Sequence, residues 1–542
     1  MNTTGNIWRA VALCALSAAG ICAVAWPGRI DPSRRRVVIY DDGFTEREQR
    51  LNFQKFGAIN CGMFSSLEDY FKALSYSVTW SKRLDESVLK TADMVWVINP
   101  TRALDDREQP ALTEWVRGGG GLLVLGDHTD ILGTHTPLNR MLEPYGIQYQ
   151  FDTAESFRPH FAGCLKILED RLGRGVLDNS DIQYGRGASL RVSGPARALI
   201  VGRQTYGDPG NRNNSQGAFL GNSPYVRGDH AWDTVLVAGG AFGAGNVLAF
   251  GDTSMFQNGA ITGSAAHFFP NCLAFLLPEK PMPMYSAWIA LALAAIAAFA
   301  GALPPRLAAL ALCCGILLGE CSNTLQPPRI DFDPTSNQRI AIIDASHMQR
   351  INQTPNDPHT ASGLIYNVLR NGYLPVYMRN WDPRWMASAQ LLITIAPQEP
   401  YSADERSQIN ALAERGGIVI AAASFDDSVI NAYITEAVKL EIKPVPLGPV
   451  PVVRDADTRG SDVQFANAAP IGYPQSGGPV EKPEIVYQCQ NLATIARCKK
   501  GKGRVIVVAD DLWMLGSHME GAFDYHEGNI RYFSRLLQDA QP

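Results

Sequence analysis

Asp127, His128, Asp130 and His135 fall within one short stretch of chain. Carboxylates and imidazoles brought together are the groups of acid–base chemistry and of cation binding. The stretch follows an apolar run, Leu122-Leu-Val-Leu125, that reads as a strand. The same arrangement recurs. Asp41-Asp42 closes Arg36-Val-Val-Ile-Tyr, and Asp252-Thr253-Ser254, with Asn258 beyond it, closes Val247-Leu-Ala-Phe250. Later in the chain come Asp344 with His347, Ser424 with Asp426 and Asp427, and Asp510-Asp511. Parallel sheets bind ligands outside the carboxyl ends of their strands. These residues are therefore candidate contacts for a sugar, a peptide or a cation. Their alternative role is to cap the following helices and hold loop amides. Asp127, His128, Asp130 and His135 are a conceivable metal set, but their spacing is equally that of turn chemistry, and no metal or cofactor is expected. Ser424 lacks the G-x-S-x-G frame of a serine nucleophile.

The elements that position these residues come in two copies. Arg36–Asp41 matches Arg339–Asp344, and Ala92–Pro100 matches Ala389–Pro397. Leu112–Asp130 matches Ile409–Asp427, and Gly243–Asp252 matches Gly501–Asp510, an offset that also pairs Asn271 with Asn529. Four collinear blocks imply an internal duplication. The strands are continuous apolar runs, as expected of strands buried on both faces. They alternate with helical spacing at Leu67 to Leu74 and at Ser402 to Leu412, the latter opened by a capping box, Ser402-Ala-Asp-Glu405. The fold class is α/β: two tandem, doubly wound, flavodoxin-like parallel-sheet domains at residues 31–280 and 335–542. The glycine runs at Gly118 to Gly121 and Gly416-Gly417 precede strands, so they are tight turns rather than phosphate loops.

The strand–acid opening, the helix–Gly-Gly–strand unit and the closing G-x-G-x-V-x-x-x-x-D strand together resemble the class I glutamine-amidotransferase-like fold. The closer resemblance is to its membrane-attached branch, which includes auxiliary components of ABC transporters of the gliding-motility type. A related domain opens intraflagellar-transport proteins. In catalytic members the resemblance implies a cysteine in an elbow after a central strand. Here the residues that follow are Gly126-Asp127 and Ala422-Ala423-Ser424, and no His-x-Glu pair is evident downstream. The resemblance thus implies a ligand crevice without glutamine hydrolysis, and no catalytic residue is assigned.

Composition and hydropathy set the remaining expectations. With 48 basic and 53 acidic residues the formal net charge is −5, which excludes a general nucleic-acid binder. Ten cysteines show no zinc spacing. Cys489 and Cys498 are either a disulfide-closed hairpin or two free thiols. Residues 1–30 read as a signal peptide or signal anchor, with a small-x-small end at Ala23-Val24-Ala25. Residues 284–321, broken by Pro304-Pro305-Arg306, read as a transmembrane helical hairpin. The expected location is the inner membrane with both domains extracytoplasmic, although Arg34-Arg35-Arg36 on the domain side argues the reverse. The expected role is a non-catalytic binding or scaffold protein of the cell envelope. Its partners would be membrane lipid, an ABC transporter or other envelope protein, and a carbohydrate or peptide ligand; the alternative is a hydrolase using the Asp/His crevice. Two polar excursions, Tyr206 to Asn222 and Lys443 to Lys482, stand out as surface loops.

Overall fold

The computed structural model describes residues 3–24, 33–57, 63–177, 179–265, 267–277, 303–325, 331–354, 357–447, 463–475, 482–489, 491–521 and 524–539. The chain forms two compact units. The first takes Met1–Phe44, Ser77–Ser254 and His267–Ile330; the second takes Thr45–Tyr76, Met255–Ala266 and Asp331–Pro542.

The first unit is built on an eight-stranded sheet. Its order is Ser77–Ser81, Arg36–Tyr40, Met94–Ile98, Gly121–Leu125, Gly245–Phe250, Thr234–Phe242, Arg197–Gly202 and Leu165–Ile167. The first five are parallel, and each of the last three runs antiparallel to its neighbour. The second unit repeats the plan with seven strands: Tyr373–Met378, Arg339–Asp344, Ala389–Ile395, Ile418–Ala422, Gly503–Val508, Leu492–Lys500 and Glu484–Cys489. Again the first five are parallel and the remainder antiparallel. The closing strands Gly245–Phe250 and Gly503–Val508 thus hold the same place in the two sheets. Central strands such as Met94–Ile98, Gly121–Leu125 and Ile418–Ala422 are buried along their whole length, because helices cover both faces.

The G-x-G motif has a steric cause in both copies. Gly243 and Gly501 turn a hairpin at φ +69° and +58°. At Gly245 a Cβ would stand 2.1 Å from the Val116 carbonyl oxygen, and at Gly503 it would stand 2.0 Å from that of Gly417. Only glycine lets the strand pass so close to the helix–strand turn beside it. The paired asparagines are equivalent too: Asn271 Nδ2 donates to the carbonyls of Leu172 and Arg174, and Asn529 Nδ2 to those of Gln464 and His518.

Register refines the repeat. Ile39 and Ile343 occupy equivalent positions across the parallel strands, so Asp344 stands where Tyr40 does, one residue short of Asp41. An irregularity between Ile340 and Ala341 interrupts this pairing in the second unit. Leu125 is the counterpart of Ala422, as the sequence blocks pair them, which makes Asp127 the counterpart of Ser424.

The membrane expectation is overturned. Among the described residues no helix is long and apolar enough to cross a membrane, which removes the transmembrane hairpin, the signal anchor and the inner-membrane location. Helices do form at Thr3–Val24 and Pro305–Leu325. Their apolar residues are used on each other: Leu13, Leu303, Ala308 and Ala311 form a buried cluster, and Gly315 packs against Cys14 and Ser17. Polar residues, among them Arg9, Asn6, Arg306 and Glu320, interrupt both sequences. Pro305 opens its helix at a position where a missing N–H costs nothing. The proposed first arm, 285–302, lies outside the described residues.

Candidate functional site

In the first unit three strand ends converge. Asn99 follows Met94–Ile98 in a left-handed conformation, φ +42°. Asp127 follows Gly121–Leu125, and Asp252-Thr253 follows Gly245–Phe250. Asp127 accepts the His128 backbone N–H at 2.8 Å and lies 3.4 Å from Thr253 Oγ1. Burial pushes the Asp127 carboxyl up to about 6, against hydrogen bonds from His128, Asn99 and Thr253 that pull it down. Burial, then the charge of Asp127, pushes Asp252 up to about 7. Asp252 is sealed: Oδ2 accepts the Gly185 N–H at 2.5 Å and Oδ1 accepts the Ser254 N–H and hydroxyl at 2.9 Å. Asp127 and His128 are only partly buried and open the crevice to solvent. Burial, with the charge of Arg186, lowers the His128 pKa, so the ring is neutral at neutral pH. Thr129 Oγ1 donates to the Ala218 carbonyl at 2.7 Å, so its 2.6 Å contact with His128 Nδ1 places the imidazole proton on Nδ1. His128 Nε2 is then an acceptor.

The same unit carries an exposed aromatic cluster. The strand Thr205–Pro209, which the sequence presents as the start of a loop, pairs antiparallel with Asp152–Ser156. At its edge Phe157, Tyr206, Tyr225 and Trp232 stack, with Phe157 centroid distances of 4.9, 5.5 and 5.9 Å to the other three. Phe157, Tyr225 and Trp232 are 47%, 44% and 59% exposed, an unusual display of large apolar surface. Trp232 is held at φ +72° by its N–H bond to the Thr205 carbonyl.

The other candidate residues are spent on structure. Asp130 Oδ1 accepts the His135 N–H at 2.7 Å, and His135 Nε2 lies 2.7 Å from the Asp127 carbonyl oxygen. Among the described residues no three His, Cys, Asp or Glu side chains are grouped to hold a metal. Asp42 accepts the N–H groups of Thr101 and Arg102, and Asp41 is half-buried beside it. Asn258 belongs to the second unit. Its Oδ1 accepts the Ser66 N–H and its Nδ2 donates to Ser65 Oγ, which fixes the start of helix Leu67–Ala73.

The second unit carries a closed cluster rather than a crevice. Asp344 Oδ2 accepts Tyr401 OH at 2.7 Å and Gln349 Nε2 at 2.6 Å, and stands 3.2 Å from His347 Nδ1. His347 Nε2 faces Glu405 at 3.4 Å, and the Tyr401 and Trp381 rings enclose the imidazole. Burial alone would lower the His347 pKa, but bonding to Asp344 and the charges of Asp344 and Glu405 raise it. Asp510 accepts four backbone N–H groups, from Ala466, Asn467, Leu512 and Trp513, while burial pushes it up to about 6. Asp511 binds Asn467, and Asp426 and Asp427 hold Ser424.

One feature escapes the sequence reading. His518-Met519-Glu520 does have the His-x-Glu spacing. The structure commits Glu520 to a fully buried bidentate pair with Arg370, at 2.8 and 3.0 Å, instead of to His518. The disulfide alternative also falls. Cys489 and Cys498 are free, and the turn of their hairpin comes directly after Cys489, which pairs with Leu492 while Cys498 faces Val505.

Residues 64–267 match the family model of a domain of unknown function, DUF4350. The match covers less than half of the chain. Among curated proteins no match is found. Solved structures similar to the chain include the mmIFT52 N-terminal domain, at 17% identity over 41% of this chain and 88% of that one, TM-score 0.28. A cytoplasmic protein from Salmonella typhimurium matches at 11% identity over 45% and 100% of the two chains, TM-score 0.26. A beta-galactosidase from Bacillus circulans sp. alkalophilus matches at 10% over 43% of this chain, TM-score 0.25. The chain spans about a third of that enzyme, 35%. Superpositions this loose say nothing of what the chain binds.

Proposed function

We propose that the protein is a non-catalytic binding protein whose two units share the class I glutamine-amidotransferase-like plan, and that the Asp127 crevice of the first unit takes a neutral carbohydrate. The observation that carries this reading is the exposed aromatic cluster of Phe157, Tyr225 and Trp232 in the unit that also carries the strand-end carboxyl Asp127, whose pKa is raised by burial. Sugar rings present apolar C–H faces to aromatic rings and hydroxyls to carboxyl, amide and imidazole groups. Asp127, Asn99 and His128 Nε2 supply such polar partners. The strand Asp152–Ser156, which ends one residue before Phe157, spans about 13 Å at about 3.3 Å per residue, a length that suits an oligosaccharide.

Three facts favour binding over hydrolysis. The elbow positions are Gly126-Asp127 and Ala423-Ser424, with no thiolate to attack. Asp252, the second carboxyl of the pair, has both oxygens occupied by protein donors. Buried Cys272 has its thiol pushed well above its usual range by burial. The family resemblance makes a transporter ATPase or permease the partner class to seek by co-purification.

Calorimetric titration of the full chain with neutral cello-, xylo- and malto-oligosaccharides tests the proposal. One series should bind saturably and remain uncleaved, and Trp232→Ala should weaken it at least tenfold. Absence of binding by all three, or unchanged binding by the variant, would remove the carbohydrate reading. Release of ammonia from glutamine, stopped by thiol alkylation, would remove the non-catalytic one.

A further inference from the structure

At the opposite edge of the second unit's sheet lies a cavity of about 450 Å3. Its walls carry five cationic side chains, Lys439, Lys482, Arg497, Lys499 and Arg504, against one carboxylate, Glu484. The cations are aligned by strand register. Lys499 stands directly opposite Arg504 in the antiparallel pair, and Arg497 directly opposite Glu484. Residues two apart on a strand share a face, so Arg497, Lys499 and Arg504 project to the same side. Like charges directly opposite on neighbouring strands are destabilising. Here the one acid among them does not relieve the pair: Glu484 is bound to Arg497 Nη1 at 3.0 Å. Arg497 is 7% exposed, its guanidinium drawn below the surface, and Arg504 Nε is enclosed without a hydrogen-bond partner among the described residues. Lys500 donates to the carbonyl of Ala437, itself a wall residue of the cavity, at 3.1 Å.

We propose that this cavity is a binding site for a small phosphorylated molecule. Two guanidinium groups offer forked donors that match phosphate oxygens, and the flanking ammonium groups add point charge. A dianionic phosphate relieves the Lys499–Arg504 repulsion within one group. The volume exceeds that of inorganic phosphate alone and falls in the range of small-metabolite pockets. Glu484, 62% exposed at its side chain, presents an oxygen to a hydroxyl of the ligand. The site shares no residue with the Asp127 crevice, so the two assignments stand or fall separately.

The test is calorimetric titration of the full chain with pyrophosphate, glucose 6-phosphate, glucose and citrate, together with the shift of its thermal midpoint by each. Pyrophosphate and glucose 6-phosphate should bind saturably at one site per chain, raise the midpoint as ligands of the native state do, and weaken with added salt. The variant Lys499→Ala/Arg504→Gln, altered only at the cavity rim, should lose at least tenfold in affinity while its midpoint without ligand stays the same or rises. Arg497→Gln tests the buried guanidinium, and the rim variant keeps the test decisive if Arg497→Gln does not fold. Equal binding of glucose and glucose 6-phosphate, citrate binding as tight as pyrophosphate, or affinities unchanged in the rim variant would each overturn the proposal. So would binding to phosphatidylglycerol vesicles without binding to pyrophosphate.

Discussion

Asp127 and Asp252 stand at the ends of adjacent parallel strands, and the charge of one raises the proton affinity of the other. Their folded-state values of about 6 and about 7 lie above that of an unfolded aspartate. As the pH rises, the unfolded chain therefore releases these protons first. Stability from the pair is complete below about pH 4 and falls until the pH passes the folded values. Between pH 5 and pH 8 the full chain should lose about 2 kcal/mol more than Asp252→Asn, read from urea midpoints. Identical losses would show that Asp252 is charged in the native state throughout. The positions of these acids could be read from the sequence, because each directly follows an apolar run. Their roles could not. The amides that claim Asp252 and Asp510 come from Gly185 and from Ala466 and Asn467, far along the chain, and no local pattern announces them.

At the scale of elements, the inner parallel strands of each sheet were readable as apolar runs, whereas the parallel edge strands Ser77–Ser81 and Tyr373–Met378 were not, and helix Ala403–Glu414 opens with its capping box as expected. The antiparallel strands were not. Thr234–Phe242 contains Gly239 and Gly240, Leu492–Lys500 ends in cations, and Thr205–Pro209 is rich in turn residues, so none has the continuous signal of a buried strand. Helix Ser362–Arg370 ends in a group that sequence pattern does not reveal as buried. Arg370 pairs with Glu520 at zero side-chain exposure for both, accepts the stacked rings of Phe53 and Phe56, and donates to the Asn52 carbonyl. Glu520 in turn accepts the Gly57 N–H at 2.6 Å. Removing one partner leaves the other charge buried and unpaired. Arg370→Ala should therefore cost about 3–5 kcal/mol in chemical denaturation. Replacing both by apolar residues, Arg370→Met/Glu520→Leu, should recover much of that loss. A single variant with unchanged stability would mean that water reaches the pair.

For the whole molecule, the two units are not two consecutive lengths of chain. Thr45–Tyr76 and Met255–Ala266, drawn from the first copy of the repeat, are parts of the second unit. Sequence blocks cannot show this, because a duplication is recognised by its strands and not by where the connecting segments pack. The attachment is specific. Tyr70 is fully buried and donates to the Pro375 carbonyl at 2.5 Å, Ala73 accepts the Asp333 N–H, and Gly259 lies against the Tyr366 ring. A fragment of residues 331–542, which contains every strand of the seven-stranded sheet, therefore lacks helix Leu67–Ala73, the Phe53 and Phe56 rings over Arg370, and the Gly57 donor to Glu520. Apolar faces of the sheet's edge strand and a buried ion pair are left open to water in it. The fragment should be much less stable than the full chain and should bind a hydrophobic dye that the full chain excludes. Adding residues 45–76 and 255–266 on flexible linkers should restore a cooperative transition. A fragment that unfolds cooperatively by itself, at the midpoint the full chain shows for Trp513 and Tyr532, would mean that the borrowed segments contribute little to the second unit.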